Sequence, residues 1–180
     1  MTRYGMLVDT RKCVGCHACR MACQHQNNLP ADVSFITFHD RESGAFPSVR
    51  TETVPTQCMQ CDDAPCAAVC PTKATYVDEN KTVRVDRDRC IGCRYCIAAC
   101  PYGARSVDPA TGIVDKCRLC VAKADPAKHP TNCVSACPAG VRVFGDLDDP
   151  TSEVSRAIAA TNAQPLASDL LSHAKFYFVR

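Results

Sequence analysis

The sequence predicts an α+β fold of short strands, short helices and many turns, and three observations predict it. Sixteen cysteines fall into four groups of four, with none left over. A β-prone stretch ending at aspartate precedes three groups, and a second extended stretch follows three. Proline follows the last cysteine of three groups, where it stops a helix. Each unit therefore reads strand, cysteine loop, short helix, strand.

Taken in order, group one is Cys13, Cys16, Cys19 and Cys23, preceded by Met6-Leu7-Val8-Asp9. Group two is Cys58, Cys61, Cys66 and Cys70, then Pro71 and the extended Ala74-Thr75-Tyr76-Val77. Group three is Cys90, Cys93, Cys96 and Cys100, preceded by Val83-Arg84-Val85-Asp86 and followed by Pro101 and Ala104-Arg105-Ser106-Val107. Group four is Cys117, Cys120, Cys133 and Cys137, preceded by Ile113-Val114-Asp115 and followed by Pro138 and Val141-Arg142-Val143-Phe144. Ile97-Ala98-Ala99 and Val134-Ser135-Ala136 fit a turn of helix before the final cysteine. Asp78 to Lys81 and Asp108 to Gly112 read as hairpin turns.

Three segments lack cysteine. Residues 24–57 hold the β-prone runs 33–38 and 48–54 and read as an inserted hairpin. Residues 121–132 read as a polar loop. The tail, 144–180, has a helix begun by Asp149 and Pro150 through Val154, Ala157, Ile158 and Thr161, and ends in the alternating strand Lys175-Phe176-Tyr177-Phe178-Val179. These are expected to be loop and edge structure or contact surface for partners.

An ordinary apolar core is thin here. Hydrophobic residues make up 46% only because cysteine counts among them, aromatics are 6% and there is no Trp. Something besides side-chain burial must hold the fold. A net charge of +2, from 21 basic and 19 acidic residues, makes no case for nucleic acid or an anionic membrane surface. Arg11, Lys12, Arg20, Arg87, Arg89, Arg94, Lys116 and Arg118 crowd the cysteine runs, where they are either solvated surface or counter-charges to an anionic centre. No run of apolar residues is long enough to span a membrane, and the N-terminal stretch lacks the apolar core of a secretory signal.

The spacings select the chemistry. C-x2-C-x2-C wraps three thiolates around one cubane, and in the run C-x2-C-x2-C-x3-C-P the fourth cysteine serves the neighbouring cluster. Group three, Cys90 to Pro101, matches this run throughout. Group one has Gln24 in place of proline, group two widens its second gap to Asp62 through Pro65, and group four widens the same gap to twelve residues. Zinc sites instead use two separated pairs, a pattern only group four approaches. Cysteines three apart on a loop reach disulfide geometry poorly. The expectation is four [4Fe–4S] clusters. His17 and His25 flank group one and read as surface or second-sphere residues. With no Gly-rich phosphate loop, Ser/His/Asp set or paired carboxylates, the chain has no catalytic residue and is expected to move electrons without itself being an enzyme.

Through Cys13-Val14-Gly15-Cys16-His17-Ala18-Cys19, Gln57-Cys58-Met59-Gln60-Cys61, Cys90-Ile91-Gly92-Cys93-Arg94-Tyr95-Cys96 with Ala99-Cys100-Pro101-Tyr102, Lys116-Cys117, and Val143-Phe144-Gly145-Asp146-Leu147, nearly the whole chain resembles the four-cluster iron–sulfur subunits of molybdopterin-dependent oxidoreductases of the dimethyl sulfoxide reductase and polysulfide reductase type. The resemblance implies ligand sets Cys13, Cys16, Cys19, Cys137 (cluster 1), Cys117, Cys120, Cys133, Cys23 (cluster 2), Cys58, Cys61, Cys66, Cys100 (cluster 3), and Cys90, Cys93, Cys96, Cys70 (cluster 4). It implies two ferredoxin-like double-cluster modules within the single unit 1–180: module one, 1–23 plus 116–145, encloses module two, 55–115. Residues 24–54 would be the inserted hairpin and 146–180 the tail. It further implies a molybdopterin (Mo or W) catalytic partner and a membrane quinone-reactive partner or other donor. The complex would lie on the cytoplasmic side of a membrane or be periplasmic by co-export. The alternative is a free-standing polyferredoxin.

Overall fold

The computed structural model of the chain describes residues 2–120 and 131–180. Its largest sheet has four strands in the order β8 (Arg142–Asp146), β1 (Tyr4–Asp9), β10 (Phe176–Val179), β9 (Gln164–Pro165). β1 pairs antiparallel with β8, Met6 opposite Phe144, and parallel with β10, Met6 opposite Phe176. Three two-stranded hairpins complete the β-structure: β2 (Thr37–Ser43) with β3 (Arg50–Thr56), β4 (Thr75–Val77) with β5 (Val83–Val85), and β6 (Ser106–Val107) with β7 (Val114–Asp115). The architecture is mixed α+β, as expected.

Period-2 alternation gives the main sheet two apolar faces. Met6, Val8, Phe176 and Phe178 face a core shared with the cysteine loops, while Leu7 and Val179 face α5 (Glu153–Thr161) through Val154. The second face explains why the tail helix forms. Its cap is Ser152, whose Oγ accepts the Ser155 N–H at 3.2 Å, and Glu153 complements the helix dipole. Asp149 and Pro150 lie in the turn before it, so the helix starts later than the sequence suggests.

Gly5 marks where this sheet is tightest. A Cβ there would stand 2.6 Å from the Lys175 carbonyl oxygen and overlap the end of Leu147. The Leu147 side chain can shift, but the Lys175 carbonyl is backbone just before β10 and cannot. Gly5→Ala is therefore expected to destabilise the fold by ~1–3 kcal/mol, read as a lower urea midpoint with unchanged m.

Two sequence expectations shift. Residues 33–36 are loop, and the first strand of the inserted hairpin begins at Thr37. The terminal strand is interior to its sheet and not an edge. The tail also clamps group two: Asp62 N–H donates to the His173 carbonyl (3.1 Å), and Lys175 N–H to that of Met59 (3.0 Å). The loop expected at 121–132 lies outside the described residues except at its end. No helix among the described residues is long and apolar enough to cross a membrane.

Candidate metal centre

The cysteine loops repeat in backbone as well as in sequence. Gly15 and Gly92, in the two C-x-G-C loops, have φ of +63° and +68°, and the residues entering the helices, His17 and Arg94, have +61° and +64°. At Gly92 a Cβ would also meet the Gly112 carbonyl at 2.9 Å. The third residue beyond the final cysteine is left-handed in groups two, three and four: Lys73 (+55°), Gly103 (+58°) and Gly140 (+59°). Helices α2 (Pro65–Ala68), α3 (Tyr95–Ala98) and α4 (Asn132–Ser135) are one turn each, stopped before the proline. Gln24 imposes no stop, and α1 (Ala18–Asn27) runs ten residues to a left-handed cap at Asn28.

In two pockets folding brings the fourth cysteine of one group to the first three of another. One pocket is lined by Cys70, Cys90, Cys93 and Cys96. A second is lined by Cys23, Cys117, Cys120 and Cys133. The thiol of Cys61 is pushed up to about 12, first by burial and then by its neighbours Cys58, Cys66 and Cys100, although Ser172 pulls it down. Cys23 is pushed up to about 12 by burial, then by Cys133 and Cys120. Burial raises Cys19, which also faces Cys133 and Cys137.

Thiols of different groups also lie near one another. Cys117, raised far above its ordinary value by burial, faces Cys58 as well as Cys23 and Cys133, and Cys96, also raised by burial, faces Cys66 as well as Cys70 and Cys90. Exposure has its own order. Cys16 and Cys93 reach the surface, while Cys58, Cys61, Cys66, Cys117 and Cys133 are buried.

The surroundings of the sulfurs suit anionic thiolates. Backbone N–H groups donate to sulfur from Thr75 to Cys70 (3.4 Å), Leu119 to Cys117 (3.4 Å) and Val141 to Cys137 (3.3 Å). Gln57 and Asn27 add side-chain amides to Cys117 and Cys23, each at 3.6 Å. Burial pushes Cys70 up, but its hydrogen bonds from Thr75 and Thr72 outweigh that and leave it lowered. Among the described residues two buried guanidinium nitrogens, Nη2 of Arg105 and of Arg142, meet no nitrogen or oxygen partner. Each guanidinium faces a thiol, Arg105 that of Cys66 and Arg142 that of Cys19, an arrangement that suits the thiolates and sulfides of an iron–sulfur centre. Among the described residues no three His, Cys, Asp or Glu side chains close around a single ion, and a cubane is wider than one ion.

The basic residues picked out by the sequence divide. Arg11 and Lys12 pair with Asp9, Arg87 with Asp108 and Asp115, Arg89 with Asp86, and Arg118 with Asp115. Only Lys116 of that set is buried, its Nζ donating to the Val83 and Cys117 carbonyls. His17 stacks on Phe38, ring centroids 4.0 Å apart, and His25 is exposed on α1. Sequence reasoning missed Arg105 and Arg142. Their shared offset of five residues from Cys100 and Cys137 was the available signal.

Fold and centres together define a cysteine-ligated iron–sulfur protein. Residues 49–147 match the 4Fe–4S dicluster domain family. The sequence is 41% identical over 179 residues to a sulfite dehydrogenase subunit of Allochromatium vinosum, covering 88% of this protein and 75% of that one. It is 40% identical over 160 residues to a polysulfide reductase chain of Wolinella succinogenes (88% and 84%). It is 42% identical over 156 residues to the thiosulfate reductase electron transfer subunit of Salmonella typhi (86% and 80%). The protein belongs to this family of 4Fe–4S electron-transfer subunits.

Proposed function

We propose that the chain is the non-catalytic electron-relay subunit of a molybdopterin oxidoreductase complex, holding four [4Fe–4S] clusters in two nested double-cluster modules. The ligands are Cys13, Cys16, Cys19 and Cys137; Cys117, Cys120, Cys133 and Cys23; Cys58, Cys61, Cys66 and Cys100; and Cys90, Cys93, Cys96 and Cys70. The observation that carries this reading is the pair of pockets, each lined by three cysteines of one group and the last of another. When bound, such clusters take up and release single electrons at potentials set by their surroundings. The chain's own part is to hold the thiolates, exclude water from the middle quartets and present the outer two.

Neighbouring thiols support a single row. The Cys19 quartet meets the Cys133 quartet, that one meets the Cys58 quartet through Cys117, and the last meets it through Cys66 and Cys96. The ends of the row are the exposed Cys16 and Cys93. Apolar side chains flank both: Val14 (73% exposed) and Met21 at one, Ile91 (68% exposed) and Tyr95 at the other. Exposed apolar groups beside a redox centre suit docking, one end for the molybdopterin subunit and the other for a membrane quinone-reactive subunit or another donor. The complex sits at a membrane through that partner.

The test is direct. The holoprotein, isolated anaerobically under mild conditions, is expected to contain on the order of sixteen iron and sixteen sulfide per chain and to elute with a larger subunit. Stoichiometric zinc without iron overturns the cluster reading, and elution as a lone brown 19.5 kDa protein overturns the subunit reading. Ile91→Asp is expected to leave iron content intact and to weaken binding of one partner by ~2 kcal/mol or more, with Val14→Asp doing the same for the other, as measured by pull-down titration.

A further inference from the structure

A buried cation stands at the same place in both halves of the cysteine framework. Arg105 lies five residues beyond Cys100, and Arg142 five beyond Cys137. Both side chains are buried, and neither forms an ion pair with a carboxylate among the described residues. Each is anchored through one nitrogen. Arg105 Nη1 donates to Thr75 Oγ1 (3.3 Å), and Arg142 Nη1 donates to Gln57 Oε1 (2.8 Å) and approaches Met6 Sδ (3.4 Å). Among the described residues each Nη2 meets no nitrogen or oxygen partner, and the guanidinium turns to a thiol, Arg105 to Cys66 and Arg142 to Cys19.

An orphaned buried N–H costs about 1–3 kcal/mol, and an unpaired buried charge costs more. Two such arginines at equivalent positions call for a common partner. Lys116 shows the contrast: it is as deeply buried, but its ammonium is engaged by two backbone carbonyls. What the arginines face is sulfur. Arg105 stands beside Cys66, Cys96 and Cys58, and Arg142 beside Cys19 and Cys23. Each therefore lies between two quartets of one module. The other arms carry no cation there: five residues beyond Cys70 is Thr75, which accepts from Arg105, and five beyond Cys23 is Asn28, the cap of α1. One arginine serves each pair.

We propose that Arg105 and Arg142 are the internal counter-cations of the two cluster pairs, each directing its unpaired Nη2–H at cluster sulfur and raising the reduction potential of its own pair. This rests on the cluster assignment proposed above. The sign follows from charge: reduction adds an electron to an already anionic centre, and a fixed positive charge nearby favours that state. The arginines are positioning residues; they neither accept nor pass the electron.

The experiment uses the full-length holoprotein, with iron and sulfide counted before redox titration followed by low-temperature electron paramagnetic resonance. Signals are assigned to pairs with single cysteine variants. In Arg142→Gln the reduced-to-oxidised ratio of the pair beside Cys19 and Cys23 is expected to fall about tenfold at fixed potential, ~59 mV for one electron, while the other pair stays put. Arg105→Gln is expected to do the converse. Arg→Lys at either site keeps the charge and is expected to restore most of the shift.

Full iron with unmoved potentials in the Gln variants overturns the proposal, as does an equal shift of all four centres. If a Gln variant loses iron, its Lys counterpart decides: iron retained at near-native potential supports a charge role, and iron lost again shows that the arginine acts by shape. A wild-type chain without iron defeats the cluster assignment itself, an outcome separate from these.

Discussion

Cys100→Ser is expected to remove the centre held by Cys58, Cys61 and Cys66 and to spare the one held by its own loop. In sequence Cys100 belongs with Cys90, Cys93 and Cys96, and a loop read in isolation assigns it there. In space its thiol joins those of Cys58 and Cys66 around Cys61, while Cys70 lines the pocket of Cys90, Cys93 and Cys96. The short helix α3 favours the proposed crossing, because its single turn carries Cys100 away from its loop before Pro101 ends it. Iron is expected to fall from about sixteen to about twelve per chain, or to about fifteen if three thiolates retain a three-iron core. Loss confined to the spectrum of the Cys90 centre contradicts the crossing. Electron passage between the two ends of the chain is expected to drop far more than iron content, since the proposed row makes the damaged centre interior.

Removing the metal is expected to unfold most of the chain. Thiols are interleaved through the main core, among them Cys19, Cys23, Cys58, Cys61, Cys117 and Cys133, and apolar side chains such as Met6, Ile36, Leu119 and Phe176 pack around them. Structural metal sites contribute on the order of 10–16 kcal/mol to folding, which matches the whole stability of a typical domain, about 5–15 kcal/mol. The hairpins β4–β5 and β6–β7 depend on that core and are expected to lose amide protection after anaerobic chelation. The packing of Leu7, Val154, Ala163 and Val179 between the main sheet and α5 contains no cysteine and is expected to open last. Acid assists the loss. Burial holds Cys23 and Cys61 up to about 12, so below that pH each thiol regains a proton once iron leaves, and apparent metal affinity falls as pH falls. Hydrogen exchange that leaves residues 75–85 protected in the metal-free chain contradicts this.

The cysteine framework was legible because its rules are local. Spacing, the glycine of C-x-G-C and the proline after the last cysteine each act within a few residues, and the structure repeats them as matched left-handed φ values at Gly15 and Gly92. The hairpin turns at Asp78 and Asp108 were legible for the same reason: each aspartate side chain binds the N–H two residues on. What stayed hidden depends on distant partners. The strand character of 176–179 was readable, but its interior place beside β1 was not, since that is set by residues at the other end of the sequence. Arg105 and Arg142 looked like ordinary charges on β-prone stretches, and only the converging thiols make them buried. Conversely, most basic residues next to cysteines proved to be surface partners of nearby aspartates.

The pairing of β1 with β10 also imposes an order in time. Met6 leaves the ribosome well before Phe176, yet they are opposed across one sheet. Synthesis runs at about 5–20 residues per second, so the first strand waits roughly ten seconds or more with one side unpaired. The span 58–100 is complete long before that and can organise its thiols first. The segment leading into β10 thus closes over group two, through Asp62 and Met59, only after the 58–100 span has emerged.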